Sequence, residues 1–253
     1  MRNESAASQS AADDLAPECL YRFLSAVVAG PYSAAWEWAL GAENQSLAIQ
    51  ASRWLGTDAE GCDIPLLVEQ LQAPLDALRA DYDRVFGLVV AKECPPYVTE
   101  YYPTEETFGR SQQIADVAGF YRAFGIEPSQ SSPERPDHLA LELEFLAFLL
   151  LKKRLAFAAV DLDPEASEQA SVCERAHRDF FRDHLAWWVP AFAGGLRRRA
   201  KDGYPHVLAR VLTAWIPPEC RRLDISAVLM PVRPELIEGP EEQSECAACP
   251  LHL

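Results

Sequence analysis

Asp137 and His138 are adjacent residues whose types could support acid–base or hydrogen-bonding chemistry. They come immediately before a long apolar stretch, and Glu142 follows His138 by about one helical turn. At a helix start, the unpaired N–H groups favour an ionised aspartate and disfavour a protonated imidazole, whereas the Glu142 carboxylate favours the protonated imidazole. Capping of the helix by Asp137 is the simpler interpretation. Because no nucleophile lies within sequence reach, the pair alone does not predict catalysis.

The motif Cys246-Ala-Ala-Cys249-Pro-Leu-His252 places two thiols and an imidazole close together near the end of the chain. This spacing could supply half of a zinc or iron–sulfur site. A closed tetrahedral site needs a fourth ligand, for which Cys220 and Cys94 are candidates. Free thiols on a mobile tail are the simpler interpretation, and we predict no metal and no cofactor. A helical metal or iron–sulfur carrier remains the alternative function.

Two other groupings of acids or potential ligands are less suited to a common site. Cys173, His177 and His184 share a predicted helix, but His184 lies too far along it to reach one ion together with the other two. Glu142 and Glu144 are two residues apart on a helix and point about 200° from each other, which disfavours a hydrolase that uses both carboxylates.

Familiar catalytic motifs are missing from the sequence. It contains no phosphate-binding Gly-x-x-x-x-Gly-Lys-Ser/Thr loop, no Gly-x-Gly-x-x-Gly, no Gly-x-Ser-x-Gly and no His-Glu-x-x-His. We therefore do not expect an enzyme with common nucleotide, serine or zinc chemistry.

The charge of the chain restricts its partners. Its 253 residues include 23 Lys or Arg and 38 Asp or Glu, for a net charge of −15 with histidines neutral. Binding to nucleic acid or to anionic lipid requires clustered basic residues, so neither is expected. A basic peptide or protein segment is the partner that this charge would attract.

The cysteines and the apolar runs predict a cytoplasmic protein without stable membrane insertion. Seven cysteines, an odd number scattered along a chain of this length, indicate reduced thiols. The N-terminus MRNESAASQSAADD has no apolar stretch after its arginine, so it is not a secretory signal. The longest strongly apolar run covers residues 145–151, whereas a membrane-spanning helix needs about 20 residues.

Apolar residues recur at spacings of three and four without sustained alternation, so an all-α fold is predicted. The predicted helices cover residues 17–28, 33–55 with a break near Gly41, 64–86, 112–124, 139–160, 171–192 and 206–215. We predict a single-domain helical bundle with long loops over residues 15–230. A flexible N-terminus (1–14) precedes it, and a mobile acidic tail containing cysteines (231–253) follows it.

The surroundings of Asp137 have two further features. Residues 87–110 hold three prolines and three tyrosines without periodicity, which predicts an ordered irregular connection of a kind that often carries function. Pro136 is predicted to be the first residue of the next helix, since it lacks an N–H and its φ is already helical. Residues 139–160 are apolar nearly all round, as is typical of a central helix.

The segment ERPDHLALELEFLAFLL at 134–150 combines several motif elements. A glutamate precedes Pro-Asp-His, which opens an apolar helix with Glu-Leu-x-Phe: Glu134, Pro136, Asp137, His138, Glu142, Leu143, Glu144 and Phe145. A Phe-Gly segment within 104–110 and Phe-Tyr-x-x-Phe-Gly at 120–125 also fit. In these motifs, residues 94–151 closely resemble the TorD/DmsD/NarJ family of molybdoenzyme-maturation chaperones.

The resemblance implies an all-helical domain that catalyses no reaction. Such a chaperone binds the twin-arginine signal peptide and the apo form of a catalytic subunit that contains a molybdenum cofactor, and assists cofactor insertion before export. Carried over by motif, the peptide-binding residues would be Asp137, His138, Glu134, Pro136 and Glu142, with Tyr97, Glu100 and Tyr101 from the preceding loop. Both a monomer and a swapped dimer are compatible with the resemblance.

Overall fold

A computed structural model describes residues 2–87, 94–102, 107–127 and 134–226. Within these ranges the chain forms ten α-helices and no β-strand, which confirms the all-α prediction. The helices are α1 (Arg2–Ala29), α2 (Ala35–Leu40), α3 (Ala42–Trp54), α4 (Ile64–Gln70), α5 (Leu75–Phe86), α6 (Thr107–Ala123), α7 (Leu139–Ala158), α8 (Ala166–His184), α9 (Val189–Arg199) and α10 (Gly203–Arg222). Short 3-10 turns lie at Asp58–Glu60 and Val98–Glu100.

Helices α1 and α7 form the centre of the bundle and run antiparallel. The Lys153 ammonium lies 3.0 Å from the Asp14 carboxylate, and the Ser25 hydroxyl donates to the Ala140 carbonyl at 2.7 Å. Asp14, the earlier of the two α1 residues, thus contacts the later residue of α7, and Ser25 contacts the earlier one. Burial of α7 on several sides confirms its predicted central position, with Leu139, Leu143, Phe145, Leu146, Leu149 and Leu150 all inaccessible or nearly so.

Aromatic contacts attach the later helices to this central pair. Phe180 on α8 meets Phe145 on α7 edge to face, with ring centroids 4.8 Å apart. Tyr21 on α1 meets Trp215 on α10 in the same way at 5.0 Å. Such pairs stabilise the fold by more than the apolar area they bury. Their rings belong to one continuous core that includes residues of α1, α7, α8 and α10.

Two predicted helices are each divided in the structure. The segment predicted over 64–86 forms α4 and α5, which are separated at residues 71–74. Pro74 accounts for the break because proline disfavours helical geometry in the residue before it. The segment predicted over 171–192 is likewise divided into α8 and α9, and Pro190 lies in the first turn of α9, where its missing N–H costs nothing.

The last helix is longer than predicted. It was predicted to cover 206–215, just before Pro217 and Pro218, but α10 continues through both prolines to Arg222. That prediction is wrong because tertiary contacts outweigh the two lost backbone hydrogen bonds. Glu219, which follows the prolines, is buried and accepts a hydrogen bond from the α1 tyrosine hydroxyl.

Helix α1 begins at Arg2 rather than at residue 17, consistent with the high helix propensity of its alanine-rich start. Flexibility of residues 1–14 stays a prediction. The acidic tail at 231–253 lies outside the described residues. In the described part of the chain, no helix combines the length and apolarity needed to cross a membrane.

Candidate functional site

His138 caps the N-terminus of α7. Its backbone is extended, and its Nδ1 accepts a hydrogen bond from the Ala140 N–H at 3.1 Å. An accepting Nδ1 places the proton of the neutral ring on Nε2. Burial lowers the pKa of His138 below its ordinary value, which favours this neutral form. Pro136 lies in the turn before the helix, so its predicted place as the first helical residue is wrong, and the cap is not the Asp137 carboxylate.

Asp137 is fully buried and joins the irregular connection to the start of α7. Its carboxylate accepts two hydrogen bonds from the Arg135 guanidinium, at 3.0 Å from Nε and 2.8 Å from Nη2. The Thr99 hydroxyl donates to the same carboxylate at 2.6 Å, and the Val98 N–H donates to the Asp137 carbonyl at 3.1 Å. Asp137 therefore positions the residues around it and is not itself accessible to a partner.

Tyr97 and Glu134 bring this network to the surface. The Tyr97 ring lies edge to face with the His138 ring at 5.1 Å, and the Arg135 guanidinium lies 4.3 Å above it. The Tyr97 hydroxyl donates to the exposed Glu134 carboxylate at 3.1 Å. Burial, aided by the Glu134 charge, raises the pKa of Tyr97 to about 12, so the hydroxyl stays a donor. Arg135 also reaches Glu100, at 3.4 Å.

Two of the expected peptide-binding residues lie in the core. Tyr101 is fully buried against Trp188, with ring centroids 4.9 Å apart. Glu142 is also fully buried, and neither of its carboxylate oxygens has a hydrogen-bond partner among the residues that the structure describes. Burial raises the pKa of Glu142 well above its ordinary value, and the charge of Asp137 raises it further. The neutral form of Glu142 is therefore favoured, and its side chain lies beneath the site rather than at its surface.

The other groupings considered from the sequence do not assemble a site. Glu144 is exposed whereas Glu142 is buried, as their predicted separation around the helix requires. His177 packs edge to face against Tyr21 in the core, and His184 packs against Phe180. Among the residues that the structure describes, no three His, Cys, Asp or Glu side chains are grouped to hold a metal ion. The terminal cysteines and His252 lie outside the described residues.

Three residues that were not predicted extend the site toward α5. The Tyr32 hydroxyl donates to the Asp83 carboxylate at 2.8 Å, and the Tyr32 and Tyr82 rings lie 5.8 Å apart. Burial raises the pKa of Tyr82, and the charges of Glu134 and Asp83 raise it further. Both carboxylates therefore favour the protonated, hydrogen-bond-donating form of the Tyr82 hydroxyl.

Gly30 explains how Tyr82 reaches this position. A Cβ at Gly30 would lie 2.2 Å from the Tyr82 ring, and the φ of +78° is one that other residues rarely adopt. From the sequence, Gly30 lies only in the gap between the helices predicted over 17–28 and 33–55. The i, i+4 spacing of Tyr82 and Phe86 is a weak signal for an aromatic surface, and nothing in the sequence connects it to Glu134.

We call the set Tyr32, Tyr82, Asp83, Tyr97 and Glu134 the acidic–aromatic surface. Asp83 and Glu134 are exposed carboxylates, and the three tyrosine rings are exposed or half-buried beside them. Such a surface favours a cation with a flat apolar face, because guanidinium groups pair with carboxylates and stack on aromatic rings. It has the composition expected of an arginine-binding surface.

The chain matches known proteins over much of its length. A family model described as nitrate reductase delta subunit matches residues 57–194. The chaperone protein TorD of Vibrio cholerae serotype O1 is 32% identical over 161 residues, which are 62% of this chain and 68% of that protein. The selenate reductase assembly chaperone protein of Thauera selenatis is 38% identical over 84 residues, or 33% of this chain and 40% of that protein.

A chlorate reductase assembly chaperone protein of Ideonella dechloratans is 37% identical over 84 residues, which again cover 40% of that protein. The match therefore spans about two fifths of the selenate and chlorate reductase chaperones and about two thirds of TorD. The family model covers the described parts of the candidate site from α5 to α8. These matches confirm the resemblance recognised in the motifs, and the chain belongs to the nitrate reductase delta subunit family, which includes the TorD-type chaperones.

Proposed function

We propose that this chain is an assembly chaperone for the catalytic subunit of a molybdenum-cofactor oxidoreductase. It binds the twin-arginine signal peptide and apo form of that subunit in the cytoplasm, assists cofactor insertion before export, and catalyses no reaction itself. Family membership supports the chaperone part of the proposal, because similar proteins are named as reductase assembly chaperones.

The acidic–aromatic surface is the observation that carries the peptide-binding part. A twin-arginine signal presents two guanidinium groups before an apolar segment of about a dozen residues. Asp83 and Glu134 offer two exposed carboxylates beside tyrosine rings, and the net charge of −15 attracts a basic peptide. Specificity for arginine over lysine is expected because guanidinium pairs with carboxylate in a planar, two-bond geometry.

The predicted site residues take different roles in this proposal. Glu134 and Tyr97 are accessible and contact the peptide. Asp137 and His138 are buried, and they act by holding Arg135 and the Tyr97 ring in place. The remaining predicted residues support them: Pro136 forms the turn, Glu100 pairs with Arg135, and Tyr101 and Glu142 lie in the core beneath.

The acidic groups alone do not account for tight binding. Exposed ion pairs contribute about 0.2–1 kcal/mol each, whereas a well-buried Leu or Phe contributes about 1.5–3 kcal/mol. Micromolar affinity corresponds to about −8 kcal/mol. The acidic–aromatic surface therefore selects the arginines, and an apolar surface must supply most of the affinity.

Two steps test this proposal. Affinity capture from the native cytoplasm, followed by mass spectrometry, identifies the client, and calorimetry then measures binding of the client's signal peptide.

Combining Asp83→Asn with Glu134→Gln should weaken binding by about 2- to 30-fold, as expected for two exposed ion pairs. The control combines Asp161→Asn with Glu168→Gln, which changes the net charge equally at exposed positions beyond the C-terminal end of α7, whereas Glu134 precedes its N-terminal end. No affinity of the wild type for any twin-arginine peptide would contradict the proposal.

A further inference from the structure

An apolar groove lies between α1 and α3, away from the acidic–aromatic surface. It encloses about 260 Å³, and its lining residues are Leu15, Ala16, Cys19, Leu47, Gln50, Ala51 and Trp54. No lining side chain is charged, and only Gln50 carries a strongly polar group. Leu15, Leu47 and Trp54 are 45%, 41% and 64% exposed, so large apolar side chains face solvent on both walls.

The two walls have the spacing of a helix-binding groove. Leu15 and Cys19 are four residues apart on α1, and Leu47, Ala51 and Trp54 follow at i, i+4 and i+7 on α3. Residues at these spacings form a stripe along one face of a helix. Two parallel stripes with a gap between them are the surface into which a third apolar helix packs, as in helix-in-groove peptide recognition.

The size and chemistry of the groove argue against other occupants. Small-molecule and cofactor sites usually enclose about 300–1,000 Å³ and contain several polar groups that fix orientation, whereas this groove is smaller and almost without them. A stable dimer interface engages about 20–30 residues on each partner. Seven lining residues are too few for that role.

The position of the groove fits an apolar peptide segment that follows a basic one. Tyr82 of the acidic–aromatic surface packs on Gly30, just after the C-terminal end of α1, and Leu15 lies about halfway along that helix. Because each helical residue adds about 1.5 Å, these two points are about 22 Å apart along the axis. A peptide with about four extended residues followed by a dozen helical ones spans about 31 Å, so it can reach both.

We propose that the α1–α3 groove binds the apolar segment of the client's signal peptide while the acidic–aromatic surface holds its arginines. This inference rests on the proposed function and adds the surface that supplies most of the affinity. The occupant is an apolar helix in the groove, and Trp54, the most exposed of the tryptophans that the structure describes, becomes covered when it binds.

Calorimetry of groove variants with altered peptides tests the inference. Leu47→Ala combined with Trp54→Ala should weaken binding of the native signal peptide at least tenfold. The same variant should bind a peptide whose apolar residues are replaced by serine no more than twofold worse than the wild-type protein does. Replacing the two arginines by lysine should lower affinity by the same factor in both proteins, because the arginines bind elsewhere.

The control combines Leu155→Ala with Leu162→Ala, two exposed leucines outside the groove, and should leave affinity unchanged. Thermal melts of all variants confirm folding, which is expected because every changed residue is exposed. If the wild type binds the peptide but the groove variant binds it equally well, the inference is overturned and the proposed function stands. A groove variant that loses self-association in light scattering but keeps its peptide affinity also overturns the inference. Failure of the wild type to bind any twin-arginine peptide overturns both.

Discussion

The Arg135 guanidinium forms two hydrogen bonds, of 3.0 and 2.8 Å, with the carboxylate of Asp137, which is fully buried. Arg135 is itself 38% exposed, so the pair extends from the core to the surface. A buried carboxylate needs such a partner because an unpaired charge in the interior is strongly unfavourable. Asp137 of the Pro-Asp-His motif thus holds the Arg135 side chain, and with it the surface of the site, in place.

Asp137→Ala should lower the free energy of unfolding by about 1–3 kcal/mol, because it leaves the Thr99 hydroxyl and the inner face of Arg135 without their acceptor. Asp137→Asn should cost less, since the amide oxygen still accepts one of these hydrogen bonds. Urea denaturation of both variants measures the difference, with Asp76→Ala as the exposed control. Equal stability of Asp137→Ala and the wild type would show that the ion pair contributes nothing to folding.

Glu142 should make the protein less stable as pH rises. Burial raises its pKa in the folded state above that in the unfolded state, so its contribution is fully favourable below the unfolded pKa. The contribution is lost as pH rises toward the folded pKa, at up to about 1.4 kcal/mol for each pH unit. Since Glu142→Gln cannot ionise, the melting temperature of the variant relative to wild type should rise from pH 5 to pH 8.

The control for this prediction is Glu144→Gln, two residues along the same helix but exposed. Its melting temperature relative to wild type should stay nearly constant over the same pH range. Similar pH profiles for Glu142→Gln and Glu144→Gln would show that Glu142 does not titrate from a buried state.

Gly30→Ala tests the packing that holds Tyr82 in the acidic–aromatic surface. The added Cβ would lie 2.2 Å from the Tyr82 ring at a φ of +78°, so both a clash and backbone strain are expected. Gly56→Ala isolates the strain, because Gly56 has a φ of +68° and no atom within 4 Å of the added Cβ. We expect Gly30→Ala to lower the melting temperature more than Gly56→Ala does, and to weaken peptide binding as well. Equal effects in both variants would exclude the Tyr82 contact as the cause.

The helices were predictable from the sequence because apolar periodicity is a local property. Their boundaries were not, since proline acts differently in different surroundings: Pro74 lies in the break between α4 and α5, whereas Pro217 and Pro218 lie within α10. Helix α10 continues past them, where the buried Glu219 accepts a tertiary hydrogen bond from Tyr21 of α1. Such contacts join residues almost 200 positions apart, and no local pattern indicates them.

The site was predictable only in part, for the same reason. The motif identified Glu134 to His138, and the structure brings most of the expected neighbours to them. The motif did not indicate that Asp137 is buried or that the charges of both Asp83 and Glu134 act on Tyr82, because both depend on tertiary packing. Glu142 was assigned to the peptide-binding residues through the family motif, although its position on α7 places its side chain in the core.

Salt should affect peptide association more than dissociation if Asp83 and Glu134 meet the arginines of the peptide. Raising NaCl from 0.1 to 1 M shortens the Debye length from about 10 to 3 Å, which screens exposed charges but not apolar contacts. Stopped-flow measurements should therefore show an association rate that falls steeply and a dissociation rate that changes little.

In the variant that combines Asp83→Asn with Glu134→Gln, the association rate should fall less with salt. The variant that combines Asp161→Asn with Glu168→Gln has the same net charge, so any difference between the two reports local contacts rather than overall attraction. If both variants lose the same share of the salt dependence, the acidic–aromatic surface does not receive the arginines.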